Sequence, residues 1–201
     1  MTYGELKSRV LELIFSYSVA GSSIPASYNN QADYIGMIPG LVNQAQMDIA
    51  TTVKRIPEIK KLSDMSHHPF GRWEHYLLPE DCWMPMLGGL LFDGPSDHRF
   101  FGYRVVLGGK VIEAPPELAD RLALEYFRYP ERVSAVTTDA TELDNTPDVH
   151  ECLVFYVAAH LLEYDDAYRA AIFKNEYTER ISRLKEPIWF EPQVIHDVYR
   201  R

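Results

Sequence analysis

Apolar residues recur at steps of three and four in the first and last thirds of the chain and at steps of two in the middle third. That pattern predicts helices on either side of a β segment. Leu6, Val10, Leu13, Ile14 and Tyr17 place one apolar stripe on a first helix of about four turns. Just before it, Thr2 and Glu5 stand at capping-box spacing, where each side chain can satisfy the other residue's backbone amide. Gly21 to Asn30, rich in Ser, Pro and Asn, reads as a loop. A second helical stretch carries Tyr34, Ile38, Leu41, Val42, Ala45, Ile49 and Val53, but Pro39-Gly40 interrupts it. Proline removes a backbone donor and disfavours helical geometry at the residue before it, so the helix is either kinked at Pro39 or restarts there. The kink is the expectation, with Pro57 closing the segment.

Between about residues 58 and 130 the period is two, with alternation in 72–78, 99–107, 110–114 and 121–129. Gly108-Gly109 predicts a two-residue hairpin turn, because such turns need positive φ and paired glycines adopt it without steric cost. Pro79, Pro85, Gly88-Gly89 and Gly94-Pro95 break the intervening stretch into an irregular excursion that carries Trp83, Met84, Met86, Leu87, Leu90, Leu91 and Phe92. It either folds back on the sheet or projects towards a partner, which makes Trp83, Met84, Met86, Leu91 and Phe92 interface candidates. Thr146-Pro147 then marks a helix start, a capping hydroxyl followed by proline at the first helical position. Cys152, Phe155, Tyr156, Ala159 and Leu162 supply its stripe. After an Asp165-Asp166 turn, Ala170, Phe173, Tyr177, Ile181 and Leu184 mark a helix antiparallel to it, ended by Pro187.

The expected fold class is therefore α+β: two N-terminal helices, an antiparallel β insertion at about 58–130, and two C-terminal antiparallel helices, forming one domain over 1–187. Residues 188–201 follow as an extended tail whose Trp189, Phe190, Ile195 and Tyr199 lack helical spacing. A segment that apolar is unsuited to float in water, so these four are the first candidates for a partner or subunit interface.

Composition narrows the classes. At 201 residues, with 46% hydrophobic and 24% charged, the chain can bury a core, and no apolar stretch approaches membrane-spanning length. Twenty Lys and Arg against 29 Asp and Glu give a formal charge of -9, which argues against a free-standing binder of nucleic-acid phosphates. The N-terminal stretch lacks the basic leader, apolar block and cleavage site of an export signal. Cys82 and Cys152 have no C-x-x-C spacing and read as two buried thiols in a reducing compartment.

Nothing along the chain assembles a catalytic pattern. There is no G-x-S-x-G, and Gly21-Ser22-Ser23 reads as a loop of small residues. His67-His68 reads as a surface turn before Pro69 and not as a zinc site, since no Cys or carboxylate stands at ligand spacing. His150, His160 and His196 are isolated. Glu80-Asp81 and Asp165-Asp166 flank element boundaries, where Asp caps and turns are common. Gly108-Gly109-Lys110 lacks the rest of a phosphate loop. Tyr126, Phe127, Arg128 and Tyr129 suggest a stacking platform for single-stranded nucleic acid, but alternation sends them to two faces. No enzyme, metal site or cofactor is expected.

Several strings, in their order and spacing, resemble the head-to-tail adaptor (connector) proteins of tailed bacteriophages. They are Leu78-Pro79-Glu80-Asp81-Cys82-Trp83, then Phe101-Gly102-Tyr103-Arg104 leading to Gly108-Gly109, then Leu124-Glu125-Tyr126-Phe127-Arg128-Tyr129-Pro130. Glu142-Leu143-Asp144-Asn145, Tyr156-Val157-Ala158-Ala159 and Glu163-Tyr164-Asp165-Asp166 complete them. With the N-terminal helices they span nearly the whole chain. The resemblance implies a helical body with a β insertion, made in the host bacterial cytoplasm and assembled as a twelve-subunit ring in the virion neck. Its partners would be the portal above and further neck or tail proteins below, with genome DNA passing through the channel without specific binding. It also implies that the C-terminal segment docks on the portal, through Trp189, Phe190, Ile195 and Tyr199 here. Other neck or tail-completion proteins, a tail-associated cell-wall hydrolase using Glu80 or Asp165, and a binding module on the Tyr-rich sheet are the alternatives.

Overall fold

A computed structural model describes residues 1–15, 31–86, 88–92 and 98–184. The tail with Trp189, Phe190, Ile195 and Tyr199, the Gly21-Ser22-Ser23 stretch and His196 lie outside the described residues. The fold is mixed helix and sheet, of the α+β class.

Helix α1 (Tyr3–Phe15) begins with the capping box anticipated above. The Thr2 amide donates to Glu5 Oε2 at 3.0 Å and the Glu5 amide to Thr2 Oγ1 at 3.2 Å. Its stripe of Leu6, Val10 and Ile14 is buried. Helix α2 (Gln31–Thr52) runs through Pro39 as one element, so it does not restart there. The bond that Pro39 cannot donate would have gone to the carbonyl of Ile35, an exposed residue where water can replace it. Pro57 does not close this helix. The helix ends at Thr52, and Pro57 belongs to the next strand, which runs along an edge of its sheet and tolerates the lost donor.

Among the described residues nine strands follow: β1 (Ile56–Lys61), β2 (His67–Phe70), β3 (Trp73–Leu77), β4 (Cys82–Pro85), β5 (Leu90–Phe92), β6 (Arg99–Phe100), β7 (Arg104–Val106), β8 (Val111–Ala114) and β9 (Leu122–Arg128). They form two antiparallel sheets. The five-stranded sheet has the order β1-β9-β5-β6, with β4 also paired to β9; the four-stranded sheet has the order β2-β3-β8-β7. The alternation over 99–107 is thus two strands in two sheets and not one. The chain passes from one to the other at Phe101-Gly102-Tyr103, where a Cβ on Gly102 would stand 2.6 Å from the Phe100 ring. The sequence 110–114 does not alternate in burial either, since all four residues of β8 are buried. His67-His68 lies in edge strand β2, not in a turn.

The glycine hairpin exists, but its loop is wider than two residues. Val106 pairs with Val111, leaving 107–110 as the connection, and Leu107, Gly108 and Gly109 all have positive φ, at 52°, 68° and 87°. A left-handed Leu costs about 1–2 kcal/mol.

Helix α3 (Pro147–Leu162) starts with Pro147 at its first turn as expected. Thr146, however, makes no side-chain cap; its hydroxyl donates to the Asp148 carboxylate instead. Eleven of the 16 residues of α3 are buried, so a single stripe understates it. Helices α1, α2 and α4 (Ala167–Leu184) all pack against it, which makes α3 the central rod of the helical body. Helix α4 keeps a one-sided stripe, with Ala170 and Phe173 buried and Tyr177, Ile181 and Leu184 half-buried against the core.

Two apolar clusters result. One joins the four helices with Val133 and Leu143; the other, around Leu62, Tyr76, Ile112, Leu122 and Leu124, lies in the β segment. Among the described residues no helix is long and apolar enough to cross a membrane. Leu153, fully buried on α3, tests the importance of the central rod: Leu153→Ala is expected to lower stability by about 2–5 kcal/mol in urea unfolding, with the slope of the transition unchanged.

Candidate functional site

The most densely bonded polar group of residues lies where the β segment meets the helical body. Strand β9 is the axis of its sheet. It pairs with β1 from Ala123 to Arg128, with β5 at its start and with β4 at its end. Arg128, the last residue of β9, donates from Nε to Glu58 on β1 at 3.1 Å and from Nη1 to the Tyr129 carbonyl at 3.3 Å. Both of its terminal nitrogens donate to the Asp144 carboxylate, a bidentate pair that fixes direction as well as distance. The Glu131 amide donates to the same carboxylate at 3.0 Å.

Burial alone would raise the Asp144 carboxyl. The bonds from Arg128 and from the Glu131 amide, with the charge of Arg128, outweigh it and hold the carboxyl below its ordinary value. The bond to Asp144 likewise raises Arg128, against burial.

Further ties converge on this seam. The Tyr129 amide donates to the Asp81 carbonyl at 2.7 Å, which holds the turn before β4 against the end of β9. Asn43 on α2 makes a two-way bond with the backbone of Val133, each at 2.8 Å, and Lys54 pairs with Asp148 at 2.6 Å. An open cleft of about 970 Å³ runs along the seam, with Met47, Glu58, Lys60, Glu80, Arg128 and Glu131 among its walls. Its charged groups are of both signs, and the central guanidinium is already committed to Asp144. The cleft offers no free nucleophile beside a base.

The other sequence candidates fall as follows. Glu80 and Asp81 are exposed in the turn between β3 and β4, and Asp81 lies 3.4 Å from the Tyr126 hydroxyl. Burial first, then the Asp81 and Glu58 charges, push that hydroxyl up to about 12. Asp165 accepts a bond from the Tyr34 hydroxyl, and Asp166 caps α4 by accepting the Arg169 amide at 3.0 Å. His67 donates to the Met65 carbonyl at 3.2 Å and His160 to the Tyr156 carbonyl at 2.9 Å. His150 is buried, which lowers its pKa. Among the described residues no three His, Cys, Asp or Glu are grouped as metal ligands. Cys152 is buried, whereas Cys82 is only half-buried; burial, helped by Asp81, pushes its thiol up to about 11.

The Tyr126 to Tyr129 strip offers no open stacking surface. Tyr126 is buried, the Arg55 guanidinium lies 4.9 Å from the Phe127 ring, and Arg128 is held in the seam. The excursion after β3 folds back along β9. Trp83 sits at a register shift in β4, the Met86 amide donates to the Glu125 carbonyl at 2.9 Å, and Leu91 pairs with Ala123. Phe92 meets Phe100 edge-on with ring centres 6.1 Å apart. Trp83, Met84, Met86, Leu91 and Phe92 are all half-buried by this packing.

No family model and no curated protein matches the chain.

The seam is not visible by motif. The only sequence signal for the seam is that Arg128 and Asp144 bracket a stretch ending at a helix start. The pair carries a pH signature. Because the folded pKa of Asp144 is depressed, its contribution is present above the unfolded carboxylate value and is lost as pH falls through the lower folded value. Asp144→Asn is expected to cost about 2–3 kcal/mol near neutrality. The gap from wild type is expected to stay level above about pH 5 and to narrow below about pH 4, read from urea midpoints across pH.

Proposed function

We propose that this chain is a structural adaptor of a tailed-phage neck, one subunit of a ring beneath the portal that links it to the tail while leaving a channel for DNA. In this reading it is not an enzyme, and the genome passes without specific binding. The observation that carries the reading is the meeting of three separate strings at the seam. These are Leu78 to Trp83, Leu124 to Pro130 and Glu142 to Asn145, the same strings whose order resembles the adaptor family. Residues that join a β insertion to a helical body hold the two parts in a fixed relation. A ring-forming subunit depends on that relation.

Two further observations support it. A subunit with a formal charge of -9, repeated around a channel, repels a polyanion and suits a conduit that must not hold its cargo. The α3–α4 pair favours an adaptor over a stopper or tail-completion protein, which by analogy is mainly a β barrel. The twelve-fold count and the docking of the 188–201 tail on the portal come from the family resemblance alone.

The test is association with the portal ring of the same phage, read by mass measurement and electron microscopy of the mixed proteins. Wild type is expected to bind. Deletion of 188–201 is expected to leave far-ultraviolet circular dichroism unchanged and to abolish binding. Failure of the intact chain to associate would remove the adaptor reading, and undiminished binding by the truncated chain would remove the role given to the tail.

A further inference from the structure

One face of the four-stranded sheet packs into the β cluster; the other is exposed along β2 and at Arg104 of β7 but closed over β8, where Val111 and Glu113 are buried. Register decides which side chains go where, because residues directly opposite on antiparallel strands share a face. Tyr76 and Ile112, opposite each other on β3 and β8, are buried in the β cluster. On the outer face a row crosses all four strands: His68 opposite His75, His75 opposite Glu113, and Glu113 opposite Arg104.

Phe70 lies on that face, 61% exposed, with its ring stacked on His75 at 4.4 Å between centres. Leu77 is exposed there too, and Leu107, exposed at the hairpin tip, is the one non-glycine residue with positive φ among the described residues. An apolar side chain held in solvent on a costly backbone is an unusual combination.

The charge of this patch is opposite to that of the chain. Glu113 is buried and accepts from His75 at 2.8 Å. Arg104 lies with its guanidinium 5.8 Å from the Trp73 ring, and Arg72 is exposed at the β2–β3 turn. Neither arginine pairs with a carboxylate among the described residues, so the patch is apolar with a net positive edge.

A second exposed apolar patch sits at the turn between α3 and α4. Tyr164 is 92% and Tyr168 78% exposed, and Ile172, one helical turn after Tyr168, is exposed on the same side of α4. Its charge is negative. Glu163 and Asp165 are exposed beside Tyr164, and the neighbouring Arg169 donates to the Leu13 and Ile14 carbonyls at 2.8 and 2.7 Å.

We infer that the outer face of the four-stranded sheet docks on the α3–α4 turn of a second copy of this chain. The argument is complementarity within one sequence. Each patch combines exposed large apolar side chains with one sign of charge, the signs are opposite, and the patches lie on different elements. Such a contact is heterologous, and repetition closes a ring or continues as a filament. Burial of the Tyr, Phe and Leu side chains supplies affinity, and the arginine-to-carboxylate contacts supply orientation. Single-stranded nucleic acid fits the sheet face less well: His75 already covers one side of Phe70, Leu77 and Leu107 cannot stack on bases, and the chain as a whole is acidic. The closure of the contact into a ring rests on the adaptor reading; the contact itself does not.

The test uses the full chain with His68→Cys and Ala171→Cys together, at exposed positions beside Phe70 and Ile172 that leave the apolar anchors in place, linked by a short bis-maleimide, both free and mixed with portal protein. The double variant is expected to give a ladder extending past the dimer, and each single variant no more product than wild type. Arg104→Glu added to the pair is expected to cut the linked product by about tenfold, and Glu163→Arg added to that to restore it. No ladder in either condition, a strong dimer from His68→Cys alone, or indifference to Arg104→Glu would overturn the contact. Portal binding by wild type without a ladder would remove this contact and leave the adaptor reading standing; a ladder without portal binding would do the reverse.

Discussion

A bidentate guanidinium–carboxylate pair constrains angle as well as separation, and the Arg128–Asp144 pair stands where an angle matters most. Arg128 ends the strand on which β1, β4 and β5 all depend, so its direction is that of the whole five-stranded sheet. Asp144 lies just before α3, the helix on which the other three pack. Such a pair adds modestly to net stability, because both charges surrender much of their hydration. Its value is in what it excludes. Any other relation between sheet and helices leaves a half-buried charge without its partner, and that is the expensive state.

The surrounding bonds make sense as guides to that pair. The segment between Arg128 and Asp144 is stitched to α2 through Asn43 and Val133, and the start of α3 to the end of α2 through Lys54 and Asp148. On its other side the segment bonds to the start of the chain: the Tyr3 amide donates to the Thr141 carbonyl and the Leu143 amide to the Met1 carbonyl. Polar backbone that would otherwise lie exposed or orphaned over an apolar helical core thus finds partners on every side. Helix α1, with its reciprocal cap, is held in the same operation.

What the sequence made legible follows from which interactions are local. The stripes of α1 and α4, the Thr2–Glu5 cap and the Pro147 start were readable because spacing within one element determines them. The extent of burial on α3 was not. A central helix is apolar all round, and a stripe search sees only the part that fits its period. In the middle third the change of period was correct, but Gly102 hides a passage between two sheets, and Leu107 joins the glycines in left-handed geometry to widen the hairpin. By type the thiols and histidines are unremarkable, yet the cross-strand row from His68 to Arg104 depends on register, which composition does not encode. Arg128 and Asp144 stand 16 residues apart in separate strings, and their pairing is a tertiary fact without a sequence period.

The seam and the proposed contact between copies are mechanically linked. In that contact one docking surface belongs to the β segment and the other to the α3–α4 turn, so the rotation from one copy to the next depends on the relation between these two parts of a single subunit as well as on the docking geometry. A small error per copy accumulates around a ring, and a heterologous contact closes only when the repeated rotation returns to its start. Apolar burial between Phe70, Tyr164 and Tyr168 is non-directional and tolerates many angles. Charge pairs at its edge narrow the choice, but exposed pairs are weak and screened by salt. The remaining control over closure lies inside the subunit, where the bidentate Arg128–Asp144 pair and the Tyr129–Asp81 backbone bond hold the sheet against the helices. Loosening that seam would leave each proposed contact between copies intact and still spoil the closure that the adaptor reading calls for, which separates the residues that would make the contact from those that would set its geometry.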